Sequence, residues 1–352
     1  MSLKTRVFLT ASFLCSIPLS VGTMQTGSCE PDGKVNFICG VASPEDLVPV
    51  PRSDWVIASG YIRGGVHVIN TRTFSHTQVF PVSTPRERFD KTTYAECPGP
   101  VDPNEKERLS AHGLAIAAGS DRVHTVYLVH HGLRESIEVF EIDTRPATPT
   151  FTWIGCVIAP KSAAFNSVSP IPGGGFAATN PNRRGEQQAK PDPANTGEVW
   201  EWHPKAGFTI VPGSESSGPN GIEVSRDGRT LYVNLWNARK VMRLSRGQTP
   251  PVKDLVDVSF QPDNIRWQAD GTLLAAGQGG ENMQRVIQCL MKVCADAASV
   301  VARIDPKTFA AKEIIRYPAN EKFFSSTVAL QVGKEVWIGT ITGDRIARYP
   351  AP

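Results

Sequence analysis

The sequence predicts an all-β protein, a six-bladed β-propeller with a metal site in its central channel. Three observations lead there. Helical periodicity is scarce after the N-terminus, while glycine (30) and proline (28) are both raised, so the apolar runs are short and end at turn residues. A strand–turn–strand unit recurs six times along the chain. Each unit opens on a polar residue, and most of these residues carry an oxygen donor.

The clearest unit runs from Gly218 to Leu244. An alternating run at Gly221–Val224 meets a Ser-Arg-Asp-Gly turn, and a second β-rich run follows at Thr230–Leu235. Asp-Gly tolerates the positive φ angles that a tight hairpin requires. Asn220 stands one residue before the first run, at the expected strand entrance.

In chain order, the first 25 residues read as a signal peptide. Lys4 and Arg6 precede an apolar run, Val7 to Val21, broken by Pro18, and small residues follow. Cleavage is expected near Gly22–Thr26, leaving 26–352 as the propeller. The run is short for a membrane span, so no stable span is expected after cleavage. In an exported chain, the six cysteines other than Cys15 read as disulfides. Cys29 with Cys39 and Cys289 with Cys294 would close local loops, leaving Cys97 with Cys156. A zinc site is the rival, but no Cys-x-x-Cys or flanking histidine supports it.

The unit heads are Glu45, His112, Asn166, Asn220, Asp263 and Ser326, spaced by 67, 54, 54, 43 and 63 residues. Such spacing suits one four-stranded blade per repeat. Further strands at Val66–Ile69, Ser136–Ile142, Glu198–His203, Val300–Ile304 and Arg345–Tyr349 complete blades. A β-sandwich would not predict six similar hairpins with polar heads. Innermost propeller strands run side by side around the channel, so their heads converge at one mouth. Glu45, Asn166, Asn220, Asp263 and Asn264 are all hard oxygen donors, and two carboxylates with amide oxygens suit Ca²⁺ better than zinc. Asx residues at strand entrances commonly just make turns. Five at one phase of a repeat point instead to a shared ion.

Several classes fall away. The formal net charge of +3 and the lack of a basic cluster give nucleic-acid binding no support. No Gly-x-Ser-x-Gly elbow is present. Gly277-Gln278-Gly279-Gly280 lacks the helix and lysine of a phosphate loop and reads as a turn between blades. Asn180–Asn195, polar and proline-rich, reads as a surface loop or a lid. Glu281–Ala298 reads as a short helical insertion.

The segments Pro44–Leu47, Ala111–Leu114, Thr125–Phe140, Phe165–Val168, Pro219–Ile222, Pro262–Ile265 and Ser325–Val328, in this order, resemble the calcium-dependent paraoxonase-type lactonases and arylesterases. That group lies within the wider gluconolactonase-like propellers. The resemblance runs from about Cys39 to Tyr349. It implies that Glu45, Asn166, Asn220, Asp263 and Asn264 hold a catalytic calcium, and that the basic pair of the family falls on His112 and His131. His130 is the alternative to His131, since only one of the two can face the channel from an alternating strand. The resemblance also implies a second calcium on Asp46 and the carbonyl of Leu114, but Ser167 stands where a carboxylate is expected. No cysteine follows Cys294, so ring closure must rest on strand pairing. The implied activity is hydrolysis of a small-molecule lactone or aryl ester; a monomer is expected. A gluconolactonase-like sugar lactonase and a non-catalytic propeller scaffold are the rival readings.

Overall fold

A computed structural model describes residues 28–102, 110–183 and 192–352. The signal-peptide reading and positions 184–191 of the Asn180–Asn195 loop lie outside the described residues. Among the described residues no helix is long and apolar enough to cross a membrane.

Among the described residues the first strand is β1 (Asn36–Cys39), and the strands form six sheets. Blade one is β2 (Pro44–Pro49), β3 (Trp55–Gly60), β4 (Gly65–Asn70) and β5 (His76–Phe80). After a short β6 (Arg86–Glu87), blade two is β7 (Ser110–Ala117), β8 (Val123–His131), β9 (Ser136–Asp143) and β10 (Thr150–Ile158), with β6 added in parallel to β10. Blade three is β11 (Val168–Pro170), β12 (Phe176–Asn180), β13 (Glu198–His203) and β14 (Gly207–Ile210). Blade four is β15 (Pro219–Val224), β16 (Thr230–Leu235), β17 (Lys240–Ser245) and β18 (Lys253–Asp257). Blade five is β19 (Gln261–Trp267), β20 (Leu273–Gly279), β21 (Ala298–Ile304) and β22 (Ala311–Pro318), with helix α1 (Met283–Cys289) in the connection after β20. Blade six is β23 (Ser326–Val332), β24 (Glu335–Thr340) and β25 (Arg345–Pro350), and its fourth strand is β1. The ring therefore closes by pairing of its two ends, Asn36 opposite Arg348 and Cys39 opposite Arg345. The three cysteine pairs are Cys29–Cys39, Cys97–Cys156 and Cys289–Cys294.

Strand alternation explains why both faces of each blade are apolar. In β3, Ile57 joins one inter-blade core with Val48 and Leu114, while Val56 and Ala58 join another with Val328 and Trp337. Each blade is thus sandwiched between two neighbours, and each core belongs to adjacent sheets.

Four of the six polar heads, Glu45, His112, Asn220 and Asp263, do not sit at strand entrances, as the sequence suggests, but on β-bulges within the inner strands, while Ser326 opens β23. Pairing slips between Pro44 and Asp46, Ala111 and Leu114, Pro219 and Ile222, Pro262 and Ile265, and Ser326 and Ala329. A bulge turns an extra residue out of the ladder and re-aims its side chain. Here the freed residues include Glu45, His112, Asn220, Asp263 and Asn264. In blade three, Asn166 and Ser167 lie just before β11, with Asn166 N donating to Thr179 O and Thr179 N to Ser167 O.

The bulge carbonyls are caught by the neighbouring blade. Thr179 Oγ1 donates to Asn220 O, Asn234 Nδ2 to Asp263 O at 2.9 Å, and Thr327 Oγ1 to Glu45 O at 2.6 Å. Gly221 is required at this seam, because a Cβ there would meet Asp263 O at 2.5 Å and the Asn264 Cα at 2.6 Å. Gly221→Ala is expected to cost about 1–3 kcal/mol through backbone displacement, read as a lowered Tm. An unchanged Tm would mean the seam is loose.

Candidate functional site

Four of the five predicted metal-ligating residues lie on bulges of three blades, and Asn166 joins them from a fourth. Each amide residue among them offers an oxygen without a partner. Glu45 Oε2, Asn166 Oδ1, Asn220 Oδ1 and Asn264 Oδ1 are all buried and accept no hydrogen bond from the protein. Leaving such oxygens buried and unpaired costs free energy, and a cation held among them would offset that cost. Asn264 Nδ2 donates to Glu45 Oε1 at 2.6 Å, which turns the second Glu45 oxygen and the Asn264 carbonyl towards a shared space. The donor set has oxygens only and two carboxylates, Glu45 and Asp263. It fits a divalent calcium ion in ligand type and in charge.

The electrostatics agree. Burial holds the Glu45 carboxyl well above its ordinary range, and Asp46 and Asp263 raise it further. Burial also lifts Asp263 to about 7, against the hydrogen bond from Gln278. If both ionise, the two carboxylates in this enclosure repel each other, so either they keep protons or a cation joins them.

His112 sits at the rim of the same cluster. Its Nε2 lies 3.4 Å from Asn166 Nδ2 and 3.7 Å from Glu45 Oε1. Its Nδ1 lies 3.0 Å from His131 Nε2, and His131 Nδ1 lies 2.5 Å from Glu135 Oε2. Alternation on β8 turns His131 towards His112, while His130 is fully buried on the other face. Burial, then the neighbouring His131, keeps the His112 imidazole well below its usual pKa, so it is neutral at pH 7. The Tyr61 ring packs on it with centroids 4.5 Å apart.

Three contributors went unseen in the sequence. Gln278 lies in β20, not in a turn between blades. Its Nε2 donates to Asp263 Oδ2 at 2.8 Å and to Ser326 O at 2.7 Å, while Trp236 Nε1 donates to its Oε1 at 2.8 Å. The flanking glycine that made the segment look like a turn is there because a Gly277 Cβ would strike Gln261 O at 1.9 Å. Glu135, four residues after His131, was legible only as a charge on a loop. Arg266 was also missed, although it follows Asn264 by two residues and so shares its strand face.

Arg266 changes the reading of the second calcium. Asp46 and the Leu114 carbonyl do come together, but around its guanidinium. Nη2 donates to an Asp46 carboxylate oxygen and to Leu114 O at 2.8 Å. The donors assigned to a second ion are therefore engaged by a cation already in the chain. Ser167, fully buried, brings no compensating charge. These residues do not fit a second calcium.

A cavity of about 840 Å³ opens at the far end of the channel, lined by Pro49, Ala117, Gly174 and Trp267, and it reaches Glu223 and Arg266. None of the upper cluster, Glu45, Asn166, Asn220, Asp263 and Asn264, lines it. Cys289, Cys294 and Asp296 also cluster, but the two sulfurs are bonded to each other and Asp296 pairs with Arg285.

No protein-family profile and no curated protein matches the sequence. Solved structures do match in shape. A gluconolactonase from Xanthomonas campestris superposes with a TM-score of 0.52 at 14% identity, covering 90% of this chain and 89% of that one. A luciferin-regenerating enzyme gives 0.53 at 11% identity over 89% and 94% of the two chains. Virginiamycin B lyase from Staphylococcus aureus gives 0.50 at 12% identity over 90% and 98%. A lyase on the same scaffold means that the fold leaves the reaction open. What the likeness establishes is architecture: this chain is a six-bladed β-propeller of the gluconolactonase-like shape.

Proposed function

We propose that the protein is an exported, calcium-dependent hydrolase of lactones or aryl esters, with Glu45, Asn166, Asn220, Asp263 and Asn264 as the metal ligands. The observation that carries this reading is the set of four buried oxygens without a protein partner, on residues of the inner strands or just before them, near a neutral imidazole. A scaffold protein has no reason to keep such a costly arrangement. The three cysteine pairs suit an oxidising compartment.

When bound, the ion would polarise the substrate carbonyl and offset the negative charge that grows on its oxygen during attack. The chain supplies the base. The Glu135 carboxylate holds the proton of His131 on Nδ1, which leaves His131 Nε2 to accept from His112 Nδ1–H. His112 Nε2 then carries the free lone pair, on the ligand side of the ring. It takes the proton from the attacking water, and the positive charge that forms is shared along the line to Glu135. Calcium acidifies a bound water less than zinc does, so a separate base is needed.

The direct test is hydrolysis of phenyl acetate and of a simple γ- or δ-lactone, with EDTA and with calcium added back. Activity lost to EDTA and restored by calcium supports the reading. Full activity in a preparation shown by elemental analysis to be metal-free would refute it.

The raised carboxyl pKa values add a linked expectation. Without metal, folded Glu45 and Asp263 retain protons that the unfolded chain releases at ordinary carboxylate pKa values. Stability of the metal-free protein should therefore fall as pH rises towards and through about 7. Calcium displaces those protons, so the gain in Tm on adding calcium should be larger at about pH 8 than at about pH 5.5. An equal gain at both values would contradict this.

A further inference from the structure

The Arg266 guanidinium is buried between the inner strands, and oxygens from four of them surround it. Besides Asp46 and Leu114 O, Nη1 donates to Ile265 O at 3.0 Å and faces Glu223 Oε1 at 3.4 Å, and Nε donates to Leu47 O at 3.3 Å. These atoms belong to β2, β7, β15 and β19, so one side chain ties blades one, two, four and five at the centre. Asp46 is held in place as well, accepting from Leu47 N at 2.8 Å and Leu114 N at 2.7 Å. An ordinary ion pair joins two elements. A cation held only by carbonyl and carboxylate oxygens from several elements does the work of a structural metal ion.

We propose that Arg266 is a built-in structural cation in place of a metal ion. The middle of the channel then needs no second ion, and removing the guanidinium uncovers a calcium site. Without it, Asp46 and Glu223 present two carboxylates beside the carbonyls of Leu47 and Leu114. That is an oxygen cage with the charge and donor type that calcium requires. The inference concerns the lower position and stands apart from the catalytic reading of the upper one.

The test compares calcium bound per chain, by equilibrium dialysis with elemental analysis, for the wild type and Arg266→Ala. The variant should bind one ion more than the wild type. In EDTA its Tm should fall by about 5 °C, since it leaves the buried Asp46 carboxylate uncompensated, and millimolar calcium should restore most of the loss. Asp46→Leu/Arg266→Ala, which lacks the central carboxylate, should return to wild-type stoichiometry. If Arg266→Ala does not fold in EDTA, refolding with and without calcium is the readout. Recovery only with calcium supports the proposal, and failure in both overturns it. Equal stoichiometry in variant and wild type overturns it too. A wild type with no ion and a variant with one would sink the upper-site reading and leave this one standing. One ion in each would do the reverse.

Discussion

Glu45→Gln is expected to abolish calcium binding at the upper site and to lower kcat/KM on lactone or aryl ester by at least about a hundredfold. Glu45 supplies one of only two charges in the ligand set, and its Oε2 is one of the unpartnered oxygens. A glutamine there halves the negative charge. Its amide also meets the Asn264 amide, which now donates to Glu45 Oε1 at 2.6 Å. The two amides cannot both keep their oxygens turned to the metal and still bond to each other as the present pair does. The fold should survive, because the Glu45 backbone carbonyl keeps its bond from Thr327 Oγ1. Calorimetric titration with calcium and a melting curve read the two parts separately. Wild-type calcium affinity in a folded Glu45→Gln protein would remove Glu45 from the site.

His112→Gln should separate chemistry from metal binding. We expect kcat to fall by about 10²–10⁴-fold, the range for loss of a general base. Calcium affinity should stay near the wild-type value, since the imidazole lies beside the ligand set without belonging to it. The pH profile carries the finer prediction. Because burial keeps the His112 pKa well below its usual value, its neutral form persists through mildly acidic pH. At saturating calcium, the wild-type rate should hold steady as pH drops through about 6.5 and fall only below that. Glu135→Gln is expected to act more weakly, because it disturbs the His131 tautomer and leaves the base in place. An active His112→Gln enzyme would show that the proton leaves by another route.

Much of the site was legible because propellers impose phase. Polar heads at a recurring position of successive hairpins had to meet at one mouth, so a list of residues scattered over more than two hundred positions became a cluster without any distance being known. The donor chemistry of Glu45, Asn166, Asn220, Asp263 and Asn264 then pointed to a hard cation. His112 could be singled out in the same way, as the one imidazole among the heads. Choosing His131 over His130 needed to know which face of β8 looks into the channel, and a strand read in isolation has no inside.

The sequence by itself determined the all-β class and the blade number, because these follow from local periodicity, turn chemistry and repetition, and it picked out the oxygen-bearing residues now proposed as ligands. Only the tertiary structure decided what those residues meet. It put four of the six heads on bulges, where the extra residue turns out of the ladder and its side chain is re-aimed. It placed Gln278 behind Asp263 by pairing β19 with β20, where the local glycines suggested a turn. It closed the ring through β1 on β25, a contact between opposite ends of the chain. And it set Arg266 between Asp46 and Glu223, 220 and 43 residues away, as a buried ion pair with both. Buried charges find their partners through the fold and not along the chain, which is why that last pairing could not be read in advance.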